Sequence, residues 1–343
     1  MRKFPVPHSK VITGLEWQGD RIPYPDPFLK GDTFPMTWAA DDNIVTSSGD
    51  PCWSTEDDGL DVERFIGGPT DYKIQRLHNM WDYEGWGGWG PKPCGMISVD
   101  GVLYLAIQNT QGYRHPAHGG RCQHGSDATI LLSIDYGANW RPRCFKELGA
   151  PMFPGYKFGG PSFVNYGKDN ANAVDEFVYA VSGDQWDNGS DLRLGRVPRD
   201  RIVHACSWEW VSGFDKKGSP RWSSALDESE PVLTDDRHIS LPEMVYLAGI
   251  KRYLLLTWHL KVDFSPEGSD LMIYEAPKPW GPFALVHYEE YFEGKEATPY
   301  CPRIPLKWME ADGVTGWLQH SGSWHPNSPY YRSNVRKFRL TVR

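Results

Sequence analysis

HISLPEMVYLAGIKRYLLLTWH, residues 238–259, is followed after a polar stretch by GSDLMIYEAPKPWG, residues 268–281. The first segment is a strand-like run, a turn and a second strand-like run that ends in a polar loop. The second is a Gly-Ser-Asp tripeptide leading into a third run. The same order recurs elsewhere. KPCGMISVDGVLYLAIQNT from Lys92 precedes GSDATILLSIDYG from Gly125, and FGGPSFVNYGKDNANAVDEFVYAVSGD from Phe158 precedes GSDLRLGRVPRDRI from Gly189. TFPMTWAADDNIVTSSGD near the start and YCPRIPLKWMEADGVTGWLQHSG from Tyr300 repeat the paired strands without the tripeptide, although Asn327-Ser328 stands where the last would fall.

Five modules in 343 residues give about 69 residues each, room for four antiparallel strands with generous loops. The expected fold is all-β: a five-bladed β-propeller with four-stranded antiparallel blades, one domain over residues 1–343. Seven blades would leave only about 49 residues each, and no two further modules are present. Composition agrees, with 35 Gly, 28 Pro, 16 Trp and 17 Tyr and no stretch of sustained 3.6-residue apolar period.

A formal net charge of −8 without a basic cluster excludes the usual nucleic-acid footprint. No apolar run is long enough for a membrane helix, so no membrane partner is expected. MRKFPVPHSK has a basic start but no hydrophobic core behind it, and the expectation is a cytoplasmic protein, or a secreted one whose leader is absent from this sequence. The six cysteines are scattered without a CxxC pair and read as reduced, mostly buried thiols. SIDYGANW, Ser133 to Trp140, resembles the Asp-box turn of sialidase-like propellers, a structural motif with no catalytic weight.

In a propeller the innermost strand of each blade begins, and the second strand ends, on one face of the ring. The second strands are expected to finish at Asp50, Asn109, Asp184, His259 and His320, and the first to begin near Asp32, Lys92, Gly160, Glu243 and Arg303. A hairpin folded about position 41 sets residues summing to 82 opposite one another, which makes Asp32 and Asp50 neighbours. Two adjacent carboxylates do not both ionise cheaply; one pKa rises, and the pair can divide into an acid and a base. Glycoside hydrolysis uses such a division, with carboxyl spacing setting retention or inversion. Glu243 is a candidate third acid. The plainer alternatives are that the two aspartates cap turns and that Glu243 is a solvated strand end.

Trp53 and Trp186 are the favoured sugar-stacking residues, whereas Trp140, Trp222 and Trp280 are expected to wedge between blades. In YRHPAHGGRCQHG, His115, His118, Cys122 and His124 could ligate a structural metal ion, zinc or calcium; otherwise Arg114 and His124 would contact substrate. Asp184, His259, Arg303 and His320 complete the expected substrate-binding set.

GDTFPMTWAADDN with SSGD, KPCGMISVDGVLYL, GRVPRDRI, LMIYEAPKPWGPF and RIPLKWMEADG together resemble a propeller group, long labelled a domain of unknown function, some of whose members are endo-acting D-arabinan hydrolases. Several of these phrases also resemble the propeller lyases that cut ulvan and related uronic-acid polysaccharides. The hydrolase resemblance implies that Asp32 and Asp50 are the catalytic pair. The lyase resemblance implies a histidine or tyrosine base and a cationic group on the uronate, with His124, His259 and Arg303 nearest in kind, but Asp184-Gln185-Trp186 stands where a catalytic tyrosine would be expected. The reading is a glycoside hydrolase of a poly- or oligosaccharide that needs no cofactor. A polysaccharide lyase and a non-catalytic carbohydrate-binding propeller remain the alternatives.

Overall fold

Residues 238–289 fold as the repeat suggests. Glu243–Leu247, Arg252–Leu260, Ser269–Ala276 and Ala284–Glu289 pair in chain order, with Glu243 opposite Leu256 and Leu247 opposite Arg252. Every residue of Ser269–Ala276 is buried. A blade is covered by its neighbours on both faces, so its strands read as continuous apolar runs and not as an alternation. The computed structural model describes residues 2–26, 30–52, 60–79, 90–111, 125–325 and 328–343.

Four more sheets of the same kind complete a five-bladed β-propeller whose blades are antiparallel and mostly four- to five-stranded. In blade 1, Lys30–Asp32 and Met36–Trp38 both pair with Ile44–Cys52, followed by Leu60–Ile66 and Lys73–Asn79. Blade 2 holds Lys92–Val99, Val102–Gln108 and Thr129–Ser133 among the described residues. Blade 3 runs from Ser162–Phe163 through Phe177–Ser182, Asp191–Pro198 and Glu209–Phe214 to Pro220–Ser223. Blade 5 takes Tyr300–Arg303, Thr315–Ser321 and Asn334–Val342 from one end of the chain and its outermost strand, Ile12–Trp17, from the other. Leu15 pairs with Leu340 and Trp17 with Phe338, which closes the ring.

Four of the five hydrophobic clusters fill a space between neighbouring blades, and the fifth runs across blades 2 to 5. Val62, Leu105 and Trp140 lie between blades 1 and 2, and Phe65, Trp308 and Val335 between blades 5 and 1. Trp222 meets Trp280 edge-on at 6.4 Å between blades 3 and 4. These three tryptophans therefore wedge blades as expected. In the 133–140 turn, Ser133 Oγ donates to Asp135 Oδ1 at 2.8 Å and the Trp140 indole N–H donates to the Gly137 carbonyl at 3.0 Å, which seats Trp140 in its interface.

Along the channel axis, Asn165 joins the inner strands. Its Oδ1 accepts from Thr37 Oγ1 of blade 1 at 2.8 Å, its Nδ2 donates to the Met96 carbonyl of blade 2 at 3.2 Å, and its backbone N–H donates to the Met244 carbonyl of blade 4 at 3.3 Å.

Candidate active site

The blade 1 hairpin keeps the expected pairing only in part. Met36 faces Thr46, Thr37 faces Val45 and Trp38 faces Ile44, each pair summing to 82. Nearer the mouth the chain slips by one locally, so that Asp32 faces Gly49 instead of Asp50, while Lys30 faces Cys52 in the expected register. The cause is a bulge: Thr33 (φ 61°) and Phe34 (φ 39°) are left-handed, the Phe34 N–H donates to the Asp32 carbonyl at 2.7 Å, and Asp50 is itself at φ 45°. Despite the slip the two carboxylates remain electrostatic neighbours, and each residue is only 7% exposed. Gly49 makes this possible by having no side chain: a Cβ there would sit 2.6 Å from Asp32 Oδ1 and 3.3 Å from Lys92 Cδ.

Lys92, at the start of the inner strand of blade 2 and 1% exposed, donates from Nζ to Asp50 Oδ1 at 2.5 Å. Asp32 Oδ2 accepts from the hydroxyls of Tyr300 (2.9 Å) and Tyr331 (3.2 Å), while Oδ1 is buried with no hydrogen-bond partner among the described residues. Burial, and then the charge of Asp50, push the Asp32 carboxyl up to about 7, against the opposing pull of Lys92 and the two phenols. The buried amide of Gln108, paired with Lys92 in the ladder, also has neither end satisfied among the described residues.

Deeper in the channel lies Glu243. Its Oε2 accepts the Ile304 N–H at 2.7 Å, and burial pushes the carboxyl up to about 7 even though the Arg303 charge opposes this. Arg303 donates from Nε to the Thr33 carbonyl (3.2 Å) and from Nη1 to Ser162 Oγ and the Pro242 carbonyl (3.4 Å each), so that one guanidinium on blade 5 ties blades 1 and 3 to the entry of blade 4. Because the folded-state value of Glu243 lies above its ordinary 4.5, the stability gained from its neutral form is present below about pH 4.5 and lost as pH rises through about 7. Glu243→Gln keeps an acceptor for Ile304 and cannot ionise. It is expected to unfold near the wild-type temperature at pH 5 and several degrees higher at pH 8 in thermal melts, a gain on the order of 3 kcal/mol.

Other sequence candidates have different surroundings. Arg303 ends its strand, which Tyr300 begins, and it is a buried channel residue and not a mouth residue. Trp186 is 3% exposed, boxed in by Trp258, Tyr300, Phe264 and Trp324 at ring distances of 5.1 to 5.8 Å, so it offers no face to a sugar. His320 is fully buried, its Nδ1 on the Ser321 carbonyl at 2.7 Å, and burial pushes it down to about 3. Asp184 Oδ1 accepts the Ser190 N–H at 2.9 Å and thus ties its own loop. Trp53, Arg114, His115, His118, Cys122 and His124 lie outside the described residues. Of the cysteines, Cys94 and Cys301 are buried free thiols, while Cys206 is free and exposed.

His259 turns towards His238 and Asp270. The two imidazoles stack at 4.2 Å, and one ligand-capable atom from each of the three residues lies within 4.8 Å of the others, a grouping that could hold a metal ion. Lys92, Tyr300, Tyr331 and Gln108 were not singled out by the sequence as site residues. Lys92 and Tyr300 do carry a signal, since each opens an inner strand.

A cleft of about 730 Å³ between blades 4 and 5, lined by Lys261, Tyr291, Lys295, Ser323, His325 and Tyr330, adjoins this mouth. Ser323 and His325 flank Trp324, whose ring meets Tyr300 edge-on at 5.2 Å, and Tyr300 in turn holds Asp32.

The comparisons bear on the fold. No protein-family model matches the chain, and no curated protein is significantly similar to it. Among solved structures, a Bacteroides ovatus protein is 12% identical, with 90% of this chain and 85% of that one covered at a TM-score of 0.57. A thermostable family-43 glycoside hydrolase is 13% identical (94% and 96% covered, TM-score 0.51). Zg3597, a family 117 glycoside hydrolase of Zobellia galactanivorans, is 11% identical (96% and 91% covered, TM-score 0.51). The chain thus shares the five-bladed propeller with carbohydrate-active enzymes.

Proposed function

We propose that the chain is a glycoside hydrolase acting on a poly- or oligosaccharide. One observation carries the reading: two neighbouring buried carboxyls at the propeller mouth have different surroundings, Asp32 pushed up to about 7 by burial and the charge of Asp50, and Asp50 in contact with Lys92 Nζ. A division into acid and base is what glycosidic cleavage requires. Asp32, in its protonated form and with its Oδ1 unshared among the described residues, gives a proton to the departing glycosidic oxygen as the bond to the anomeric carbon breaks. Asp50, as carboxylate, receives the developing positive charge and accepts the proton of water, or forms the bond to carbon itself. Glu243 acts through Arg303 and the Ile304 amide as a positioning residue.

Drawn with these side chains, the reaction uses no cofactor. Further support comes from the shared fold with family 43 and family 117 glycoside hydrolases, and from the adjoining cleft with its two tyrosines, where further sugar units would lie.

The test is a panel of neutral and acidic polysaccharides incubated with the protein, with reducing ends and ultraviolet absorbance read together. New reducing ends without absorbance are expected. An unsaturated, ultraviolet-absorbing product would instead establish β-elimination, and glycan binding without any turnover would make the propeller a lectin; either result overturns the proposal.

A further inference from the structure

A second constellation stands apart from the acid pair, at the rim where blade 4 meets the segment entering it. His238 lies on that segment, and His259 and Asp270 are directly opposed on the second and third strands of blade 4. His259 Nδ1 is 2.8 Å from the Arg237 carbonyl, and His238 Nδ1 is 2.5 Å from the Asp236 carbonyl. A carbonyl only accepts, so each Nδ1 carries the hydrogen, and the nitrogen left with a lone pair is Nε2. This is how metal-binding histidines are oriented: one ring N–H on a backbone carbonyl, the other nitrogen bare.

Asp270 is fixed in the same manner. Its Oδ1 accepts the Tyr291 N–H at 2.9 Å, and its Oδ2 accepts from Lys261 Nζ at 2.8 Å and the Tyr288 hydroxyl at 3.0 Å. Lys261 is shared with Glu290 at 2.9 Å, so its charge is not spent on Asp270 alone. An ion pair with Lys261 accounts for a buried aspartate. It does not account for two imidazoles stacked beside that aspartate with their Nδ1 atoms both taken by backbone.

We propose that His238, His259 and Asp270 form a binding site for a divalent transition metal ion of the zinc type. The ligand set is two nitrogens and one oxygen, borderline in softness and suited to zinc over calcium or magnesium. Both histidines are half-exposed, so a fourth position is open to water or to a ligand oxygen. The ion would pin the segment entering blade 4 to that blade's rim, beside the Arg2–Asp235 contact made by the N-terminal segment.

The test is titration of the full chain, stripped with a chelator, with Zn²⁺ by calorimetry and with Co²⁺ by visible absorption. One equivalent is expected to bind, Zn²⁺ should raise the unfolding temperature, and bound Co²⁺ should show the intense d–d bands of low coordination number. His238→Ala and His259→Ala should each weaken binding roughly tenfold or more, while His118→Ala and His124→Ala leave it unchanged. Binding that survives the first pair and is lost in the second overturns the proposal, as does the absence of stoichiometric binding in the wild type. Should the alanine variants unfold, the His238→Gln/His259→Gln double variant replaces them, and a Zn²⁺-induced rise in its melting temperature equal to that of the wild type counts against the site.

Discussion

Asp50→Asn is expected to lower kcat by on the order of 10³ to 10⁴ on every substrate the protein turns over, whatever its leaving group. In the proposed mechanism Asp50 supplies negative charge at the reacting carbon, and an amide cannot. Asp32→Asn should behave differently. Its proton matters in proportion to how badly the departing oxygen needs one, so the loss should be about 10²- to 10⁴-fold on a natural glycan and small on an aryl glycoside whose leaving group is already a weak base. Measuring kcat/KM for both variants across aryl leaving groups of graded acidity checks the assignment. A flat response in Asp32→Asn together with a steep one in Asp50→Asn would exchange the two roles. Substrate binding should survive in both, because Asn keeps the size of Asp and the Tyr300 and Tyr331 hydroxyls keep an acceptor.

Lys92→Met is expected to have the second largest effect. Met fills similar volume but removes the cation that contacts Asp50 and that opposes the upward push on Asp32. Removing one partner of a buried ion pair leaves the other without compensation, at a cost of about 3 to 5 kcal/mol, unless the stranded carboxyl takes up a proton. Both carboxyls should then bind protons more tightly than in the wild type. Activity at pH 7 should fall by about two orders of magnitude, and the acid limb of the kcat/KM profile should move up by a unit or more. The stability arm has a definite sign. With folded-state carboxyl values raised above their unfolded ones, stability is retained below the ordinary carboxylate range and lost as pH rises through the raised values. The variant should therefore melt closer to wild type at pH 5 than at pH 8, and an unmoved acid limb would remove Lys92 from the tuning of the pair.

Much of this architecture could be read from the chain because each blade repeats two apolar runs around a turn, and because blades are covered on both sides. Pairing across Met36–Trp38 was legible for the same reason: Asp41-Asp42-Asn43 marks the turn, and pairing propagates from it. The slip at Asp32 was not, since it depends on left-handed backbone at Thr33 and Phe34, residue types that carry no turn signal. Lys92 was visible as the start of an inner strand, but its role is fixed by the neighbouring blade, a contact 42 residues away in sequence. Trp186 and His320 stand in polar, loop-like sequence and read as exposed. They are buried because aromatic neighbours, Trp258, Tyr300 and Trp324 over the one and Phe292 against the other, pack over them. The His238–His259 stack joins two places no spacing rule connects. ITGLEW, at 12–17, belongs to none of the five modules, so ring closure by that strand had no signal in the repeat.

That closure bears on how the protein comes into being. While the chain is being translated, four blades can assemble in order, but among the described residues the outer edge of Asn334–Val342 pairs with Ile12–Trp17 and Ile22–Pro23, both made long before it. The last step is a very long-range docking, entropically slow and exposed to wrong edge pairing until it is done. The leading segment also reaches back along blade 4, through Ser9 to Leu285 and Glu275. Residues 9–23 are thus the latch of the ring, and a bulky insertion placed there would obstruct its assembly.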